Sequence, residues 1–231
     1  FEEDLLDLGI SNAGQIMFYY KDVKISSENK IAVSVRAQFD QYISDMILIL
    51  EVKEFNRLLT TKNYFDECAI KPQRKLKVSI ETLKRWKTTA VFTSSSWQKT
   101  TSADKILNRV MGESISWRGE DLYYGKQSTR FANVYARYES DSYATESKVF
   151  GFGDTSDATS YNNNINNIPA GTKTGFGAKI QLAGDFAFVG APLLDPYIAN
   201  NNLSAVNAAS PDGAVYIFKY DSGWSYVDAI Y

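Results

Sequence analysis

Acidic residues are the side chains in this sequence with the most obvious capacity for chemistry. Paired carboxylates can hydrolyse a glycosidic bond, one acting as general acid and the other as base or nucleophile. The available acids are Glu51 and Glu54, Glu120 and Asp121, and Asp185 and Asp195. No pair lies in an aromatic-rich stretch flanked by turns, and each is equally typical of solvated surface charge. We therefore predict that the chain is not an enzyme, and we assign no catalytic residue.

Histidine is absent from all 231 residues. The Ser-His-Asp and Cys-His nucleophile systems and most zinc sites need an imidazole, so the sequence argues against them. Cys68 is the single cysteine, which leaves no disulfide within this chain and a thiol without a histidine base. We interpret Cys68 as a small apolar residue in a partly buried position.

Two glycine-containing stretches superficially resemble nucleotide-binding loops. Gly119–Lys126 has five residues between its two glycines and is followed by Gln127. A phosphate loop needs four residues between the glycines, and a Ser or Thr after the lysine to reach magnesium. Gly151-Phe152-Gly153 lacks the third glycine of a dinucleotide-binding motif. The sequence therefore predicts no nucleotide cofactor, and it indicates no other cofactor.

The overall composition argues against nucleic acid and lipid as partners. The formal net charge is −2, so the chain has no strong electrostatic attraction to a polyanion or an anionic membrane. No apolar run approaches the roughly 18 residues that a membrane-spanning helix needs. Aromatic residues make up 14% of the chain, which is typical of β-structure and of contact surfaces. We predict no nucleic-acid partner and no membrane insertion.

The elements that position these residues are predicted to be mostly strands. Strands are predicted at Gln15–Tyr20 and Ile31–Phe39, and the more apolar run Met46–Val52 predicts a third strand in a central position. In Ile31–Phe39 the odd-numbered residues are apolar and the even-numbered ones mostly polar, which predicts one buried face. Arg130–Tyr138 and Tyr143–Phe152 are predicted to form a hairpin.

One helix is predicted at Ser102–Met111. Ser102 has the chemistry of an N-cap, and Ile106 and Val110 are spaced four residues apart as on one face of a helix. Gly112 follows at the position where a helix C-terminus favours glycine.

The stretch from 175 to 220 contains glycine motifs that alternate with three predicted strands. The motif residues are Phe176 and Gly177 before the first strand, Gly190, Ala191 and Pro192 after the second, and Gly213 before the third. Phe186–Val189 is apolar throughout, which predicts a strand buried on both faces. We expect antiparallel strands in sequence order, with these side chains pointing inward: Phe176, Ile180, Leu182, Phe188 and Val189.

This order of motifs resembles one FG-GAP repeat, the blade unit of integrin-α-like β-propellers. The resemblance covers about the last quarter of the chain and implies a propeller-like blade. Many such repeats bind calcium through an Asp/Asn-rich loop, but Ala183-Gly184-Asp185 supplies a single carboxylate here. No metal site is therefore predicted. Val149–Gly153 is a weak echo of the Phe-Gly motif, too little to count as a second repeat.

The predicted fold class is mainly β, with an antiparallel β-rich N-terminal domain and one or two short helices, followed by a β-propeller-like blade or fragment. We expect an assembly or docking domain at 1–153, an Asn/Ser/Thr-rich linker or loop at 154–174, and the FG-GAP-like blade at 175–231. A single blade cannot bury both of its faces, so we expect the chain to work in an assembly.

The predicted function is that of a non-catalytic structural or adhesion protein, a fragment of a larger component of a virion (phage tail or baseplate) or of a microbial surface. Its expected location is extracellular or on the virion surface, and its partners are other subunits or further copies of itself. Candidate interface residues are Trp224, Tyr226 and Tyr231, because large aromatic side chains dominate interface energetics. The alternative is a carbohydrate-binding or carbohydrate-active protein with a glycan receptor, in which Trp224, Tyr226 or Tyr197 stacks on sugars.

Overall fold

The computed structural model describes residues 15–51, 75–79, 88–93, 98–99, 110–127, 132–151, 176–192 and 213–230. The chain divides into two compact units between Leu107 and Asn108. The described residues form three antiparallel sheets, and their one helical segment is a 3-10 turn at Glu139–Asp141. The prediction of a mainly β, antiparallel protein is confirmed.

The N-terminal unit contains one six-stranded sheet. Its strands are β1 (Gln15–Ile25), β2 (Lys30–Phe39), β3 (Tyr42–Glu51), β4 (Lys75–Ser79), β5 (Thr88–Thr93) and β6 (Gln98–Lys99). The order across the sheet is β4-β1-β2-β3-β5, and the short β6 pairs with β3. The three strands predicted in this part correspond to β1, β2 and β3, and β3 lies in the interior of the sheet as its apolar sequence favours.

Both faces of the middle strands are covered. On β2, Ala32 and Ser34 are as fully buried as Val33 and Val35 on the opposite face. The prediction that Ile31–Phe39 buries only one face is therefore wrong. A polar residue on a strand does not by itself expose a face, because a small hydroxyl can be buried once it has a hydrogen-bond partner.

Asp45 lies inside this sheet with two cationic partners. Arg36 stands directly opposite on β2, and its Nε donates to Oδ1 at 2.7 Å. Lys21 on β1 donates to Oδ2 at 2.6 Å, and the Asp45 side chain is only 2% exposed. Burial acts to raise the pKa of Asp45, but the hydrogen bond from Arg36 and the charges of Lys21 and Arg36 outweigh it, so the pKa is lowered. The carboxylate is buried because its charge is compensated.

The C-terminal unit contains two four-stranded sheets of the same topology. The first consists of β7 (Val110–Arg118), β8 (Asp121–Gln127), β9 (Ala132–Arg137) and β10 (Ser147–Gly151). The second consists of β11 (Lys179–Ala183), β12 (Phe186–Ala191), β13 (Ala214–Tyr220) and β14 (Trp224–Ile230). Each is an antiparallel meander in which every strand pairs with the next along the chain.

One hydrophobic core joins these two sheets. The first sheet contributes Tyr123, Val134, Ala136, Val149 and Phe150, and the second contributes Ile180, Leu182, Ala187, Val189, Ala191, Ala214, Tyr216 and Phe218, with Phe176 just before it. Phe150 stacks on Phe218 with ring centroids 4.2 Å apart. Because this core is shared, β7–β10 belong with the C-terminal sheet, which differs from the predicted boundary at 153. Residues 154–174, the predicted linker, lie outside the described residues.

The predicted helix at Ser102–Met111 is wrong where it can be compared. Val110, Met111 and Gly112 belong to β7, and residues 102–109 lie outside the described residues. Gly112 has φ +70°, at an irregularity in the β7–β8 pairing between Met111 and Ile115. A left-handed glycine serves a strand bulge as well as a helix C-terminus, so the sequence signal was ambiguous.

Candidate interaction surface

The two sheets of the C-terminal unit are internal repeats with a fixed spacing. Four residue pairs recur 65 positions apart: Gly112 and Gly177, Ile115 and Ile180, Gly119 and Gly184, Gly125 and Gly190. The structure keeps these pairs in register, because Arg118 pairs with Asp121 across one turn as Ala183 pairs with Phe186 across the other. The third strands match as well: Gly125 stands opposite Val134, and Gly190 stands opposite Val215.

Sequence reasoning missed this first repeat, although the 65-residue spacing of its glycines was visible. The first repeat has Met111 where the second has Phe176, so a search for Phe-Gly passes over it. The echo noted at Val149–Gly153 falls at the end of a fourth strand, whereas the motif begins a first strand. Its Phe152 and Gly153 lie outside the described residues.

The predicted motif residues lie together at one end of the second sheet. Phe176 is buried, with its ring edge-on to Tyr216. The Gly177 N–H donates to the Gly190 carbonyl at 2.9 Å, which ties the start of the first strand to the end of the second. A Cβ at Gly213 would lie 3.2 Å from Cα of Pro192, and Ala191 is buried in the shared core. The motif therefore shapes the sheet and places no side chain for catalysis.

Gly125 marks a backbone crossing between the two sheets. A Cβ added to Gly125 would lie 2.1 Å from the carbonyl oxygen of Gly177, so no other residue fits without moving the backbone. Gly177 itself has φ +82°, which favours glycine for a separate reason. Gly125 and Gly177 thus allow the backbones of the two sheets to approach closely at this point.

Serine hydroxyls of β7 bind the free backbone edge of β11. Ser114 Oγ accepts from the Ile180 N–H at 3.1 Å and lies 3.3 Å from the Ile180 carbonyl, to which it donates. Ser116 Oγ accepts from the Leu182 N–H at 3.0 Å. Both serines are buried, so these bonds satisfy backbone groups that an edge strand would otherwise leave without a partner.

The β12 side chains alternate between the shared core and the opposite face of the sheet. Ala187 and Val189 are fully buried, whereas Phe186 and Phe188 are 40% and 36% exposed. The predictions that Phe188 points inward and that this strand is buried on both faces are therefore wrong, whereas Val189 does point inward. An all-apolar strand can still have one exposed face because alternation follows from the backbone alone.

We call the exposed face of the second sheet the outer face. Its apolar side chains are Phe186, Phe188, Val215, Ile217 and Ile230, and its polar ones are Lys179, Gln181, Lys219 and Asp228. Val215 pairs with Ile230, and Phe188 pairs with Ile217, so the apolar residues are neighbours across strands. Ile230 is 60% exposed. The outer face is the largest group of adjacent exposed apolar side chains in the described part of this unit.

The three predicted interface residues differ in their surroundings. Trp224 is half-buried, its ring lies edge-on to Phe150 at 5.3 Å, and its Nε1 donates to the Tyr123 hydroxyl at 3.3 Å. Tyr226 is 38% exposed and contacts rings of the same sheet. Tyr231 lies outside the described residues.

A polar cluster covers part of the other face of the first sheet. The Tyr124 hydroxyl donates to Glu146 at 2.6 Å, Lys126 donates to the other carboxylate oxygen at 2.8 Å, and Arg137 Nε donates to the Tyr124 hydroxyl at 3.1 Å. Burial, then the Glu146 carboxylate, raise the pKa of Tyr124. Burial opposes ionisation of Glu146, but the hydrogen bonds from Lys126 and Tyr124 prevail and lower its pKa. Every oxygen here is engaged, as in a structural cluster.

Of the three acidic pairs, the pair of Glu120 and Asp121 lies wholly within the described residues, and Glu120 is buried. Asp121 accepts from the Glu139 backbone N–H at 3.0 Å. Asp185 is 65% exposed in a turn, 3.4 Å from Arg118. Glu54 and Asp195 lie outside the described residues, as does Cys68.

Comparison with known proteins leaves the family open. No family model, curated protein or solved structure matches the chain. The resemblance to FG-GAP repeats therefore stays a prediction. In the part of the chain that the structure describes, no helix is long and apolar enough to span a membrane.

Proposed function

We propose that this chain is a non-catalytic structural or adhesion protein that works within a larger assembly, on a virion such as a phage tail or baseplate, or on a microbial surface. The observation that carries the proposal is the outer face. Its aromatic and aliphatic side chains are adjacent and partly exposed, on a sheet whose opposite face is already buried. Exposed apolar patches of this kind are typical of protein contact sites.

Two further observations support an assembly component over an enzyme. The whole chain lacks histidine, the commonest general base. The described polar clusters around Asp45 and Glu146 are satisfied internally, and their carboxylates hold cationic partners. Groups of this kind stabilise a fold, because their hydrogen-bonding capacity is already used within the protein.

Immunogold electron microscopy tests the location and the assembly. Antibodies raised against the chain are expected to label an external structure of the particle or cell that produces it. Labelling confined to the soluble interior of the cell would contradict the proposal.

A glycan array and a sugar-release assay test the non-catalytic part. We expect no release of reducing sugar from any glycan that binds. Hydrolysis would favour the carbohydrate-active alternative, whereas binding without hydrolysis fits an adhesion role. Loss of glycan binding in a Trp224→Phe variant would assign the sugar contact to Trp224, whose ring also packs edge-on against Phe150.

A further inference from the structure

The internal repeat relates the outer face to a surface that is already covered. In the first sheet, three apolar residues lie beneath the second sheet and are 0–2% exposed: Tyr123, Val134 and Phe150. Their counterparts on the outer face are 36–60% exposed: Phe188, Val215 and Ile230. The correspondence follows from the pairing, because Phe150 stands opposite Val134 as Ile230 stands opposite Val215.

Gly190 is the counterpart of the crossing glycine. Gly125 must be glycine because the Gly177 carbonyl of the neighbouring sheet lies against it. The atoms nearest to a Cβ at Gly190 would belong to Lys179 of its own sheet, the closest at 3.4 Å, which is ordinary contact. The structure as it stands therefore gives Gly190 no steric reason to be glycine, but a further sheet docked in the same way would.

The polar residues at the seam, where β7 binds the edge of β11, also have counterparts in the second sheet. Ser114 and Ser116, which bind the edge of β11, have Lys179 and Gln181 as their counterparts 65 residues later. Lys179 and Gln181 are exposed on the first strand of the second sheet. Polar side chains that can reach the edge of an incoming strand thus occur at the same two places.

Energetics favour an occupant that is covalently linked. Phe188, Val215 and Ile230 are already partly covered, so burying the rest of each gains only part of the free energy of a fully buried apolar side chain. A free partner must also offset the translational and rotational entropy lost on association, whereas a linked sheet does not. A second copy cannot dock head-to-tail either, because the face it would present is buried at Ile115, Leu122 and Tyr124.

We propose that the outer face packs against a further four-stranded sheet of the same repeat, linked in the same polypeptide. Phe188, Val215 and Ile230 are buried by it, and Gly190 forms the backbone crossing. The incoming sheet presents a face like that of Ile180, Val189 and Tyr216, and it begins with a left-handed glycine. The inference deepens the proposed function and rests on it, because it assigns the exposed outer face to a further repeat of the same assembly component.

The test adds the missing neighbour to the full chain. A three-sheet variant repeats residues 152–231 after Tyr231, because residues 152–175 already connect the two existing sheets. Both this variant and the 231-residue chain carry Cys68→Ser, and Phe188→Cys in the first copy of the second sheet. We expect a thiol reagent to label Cys at this position at least tenfold more slowly in the three-sheet variant. Ile25→Cys, at a residue 62% exposed in the other unit, is the control and should react equally in both.

Gly190→Ala in the first copy gives a second readout. It should restore fast labelling in the three-sheet variant while leaving the thermal unfolding midpoint of the 231-residue chain unchanged. Equal labelling rates with and without the added sheet would overturn the proposal. The proposal would also be overturned if hydrogen exchange showed that the added copy stays unfolded, since the same sequence folds against the first sheet.

Sedimentation of the 231-residue chain tests whether a second copy of the chain covers the outer face instead. A monomer is expected, whereas a dimer that Phe188→Asp dissociates would show that a second copy covers the face and would overturn the proposal. None of these outcomes alters the immunogold result, so this inference and the proposed function fail separately.

Discussion

The two sheets of the C-terminal unit share a backbone plan but differ in what covers their faces. The first sheet is covered on one face by the second sheet and on the other partly by the cluster around Tyr124 and Glu146. The second sheet has Val189 where the first has Tyr124, and Phe218 where the first has Arg137. Turn glycines and pairing register are thus repeated, whereas the side chains at equivalent positions decide whether a face binds a sheet or a polar cluster.

The largest difference in stability is expected between carboxylates introduced at equivalent positions of the two sheets. Val134→Asp buries an unpaired carboxylate in the shared core, which should cost about 4 kcal/mol or more. Val215→Asp places the same charge at the counterpart, 37% exposed, and should cost about 1 kcal/mol or less. Urea unfolding of both variants measures the difference, and equal losses would mean that the outer face is already covered in solution.

A methyl group at the crossing glycine should have the next largest effect. Gly125→Ala forces the Gly177 carbonyl away and separates the sheets, at a cost of about 3 kcal/mol. Gly190→Ala is the matched control and should stay within about 0.5 kcal/mol of the parent chain. Thermal unfolding followed by near-ultraviolet circular dichroism compares them. A Gly125→Ala variant as stable as Gly190→Ala would show that the two sheets do not approach each other this closely.

Removing the serine hydroxyls tests the seam between the sheets. Ser116→Ala leaves the buried Leu182 N–H without its acceptor, and we expect a loss of about 1–3 kcal/mol. Gln181→Ala, at the counterpart of Ser116, should cost about 0.5 kcal/mol or less because its side chain is on the outer face. Faster hydrogen exchange at Leu182 is expected only in the serine variant, and unchanged exchange there would contradict the assigned bond.

The smallest expected effect is the pH dependence of the polar cluster, which the second sheet lacks. The folded-state pKa of Glu146 is below its ordinary value of 4.5, so its stabilisation is present above about pH 4.5 and is lost as the pH falls through the folded pKa. Glu146→Gln should lower the free energy of unfolding by about 1 kcal/mol at pH 7 and flatten its decline below about pH 4.5. The stability of Asp185→Asn, which changes an exposed carboxylate, should fall with decreasing pH as that of the parent chain does. Urea unfolding at several pH values checks this, and parallel declines for Glu146→Gln and the parent would count against it.

Prediction from sequence succeeded where the signal was local. Residues alternating with period 2 gave β2 and β11, and the glycine and proline motifs gave the ends of β12 and the start of β13. It failed at Met111-Gly112, where a left-handed glycine reads equally as a helix end or a strand bulge. The prediction that Phe188 is buried also failed, because an apolar side chain does not indicate which face of its sheet is covered.

The sequence by itself determined most strands of the second sheet, which of their residues share a face, and where turns require glycine, because these depend on neighbours along the chain. Only the tertiary structure decided that Val189 is buried and Phe188 exposed, and that Gly125 is a crossing while Gly190 is not. Burial and close backbone approach depend on residues far away in sequence, such as Gly177 against Gly125. A strand's pattern can therefore specify its two faces without specifying which of them meets another sheet.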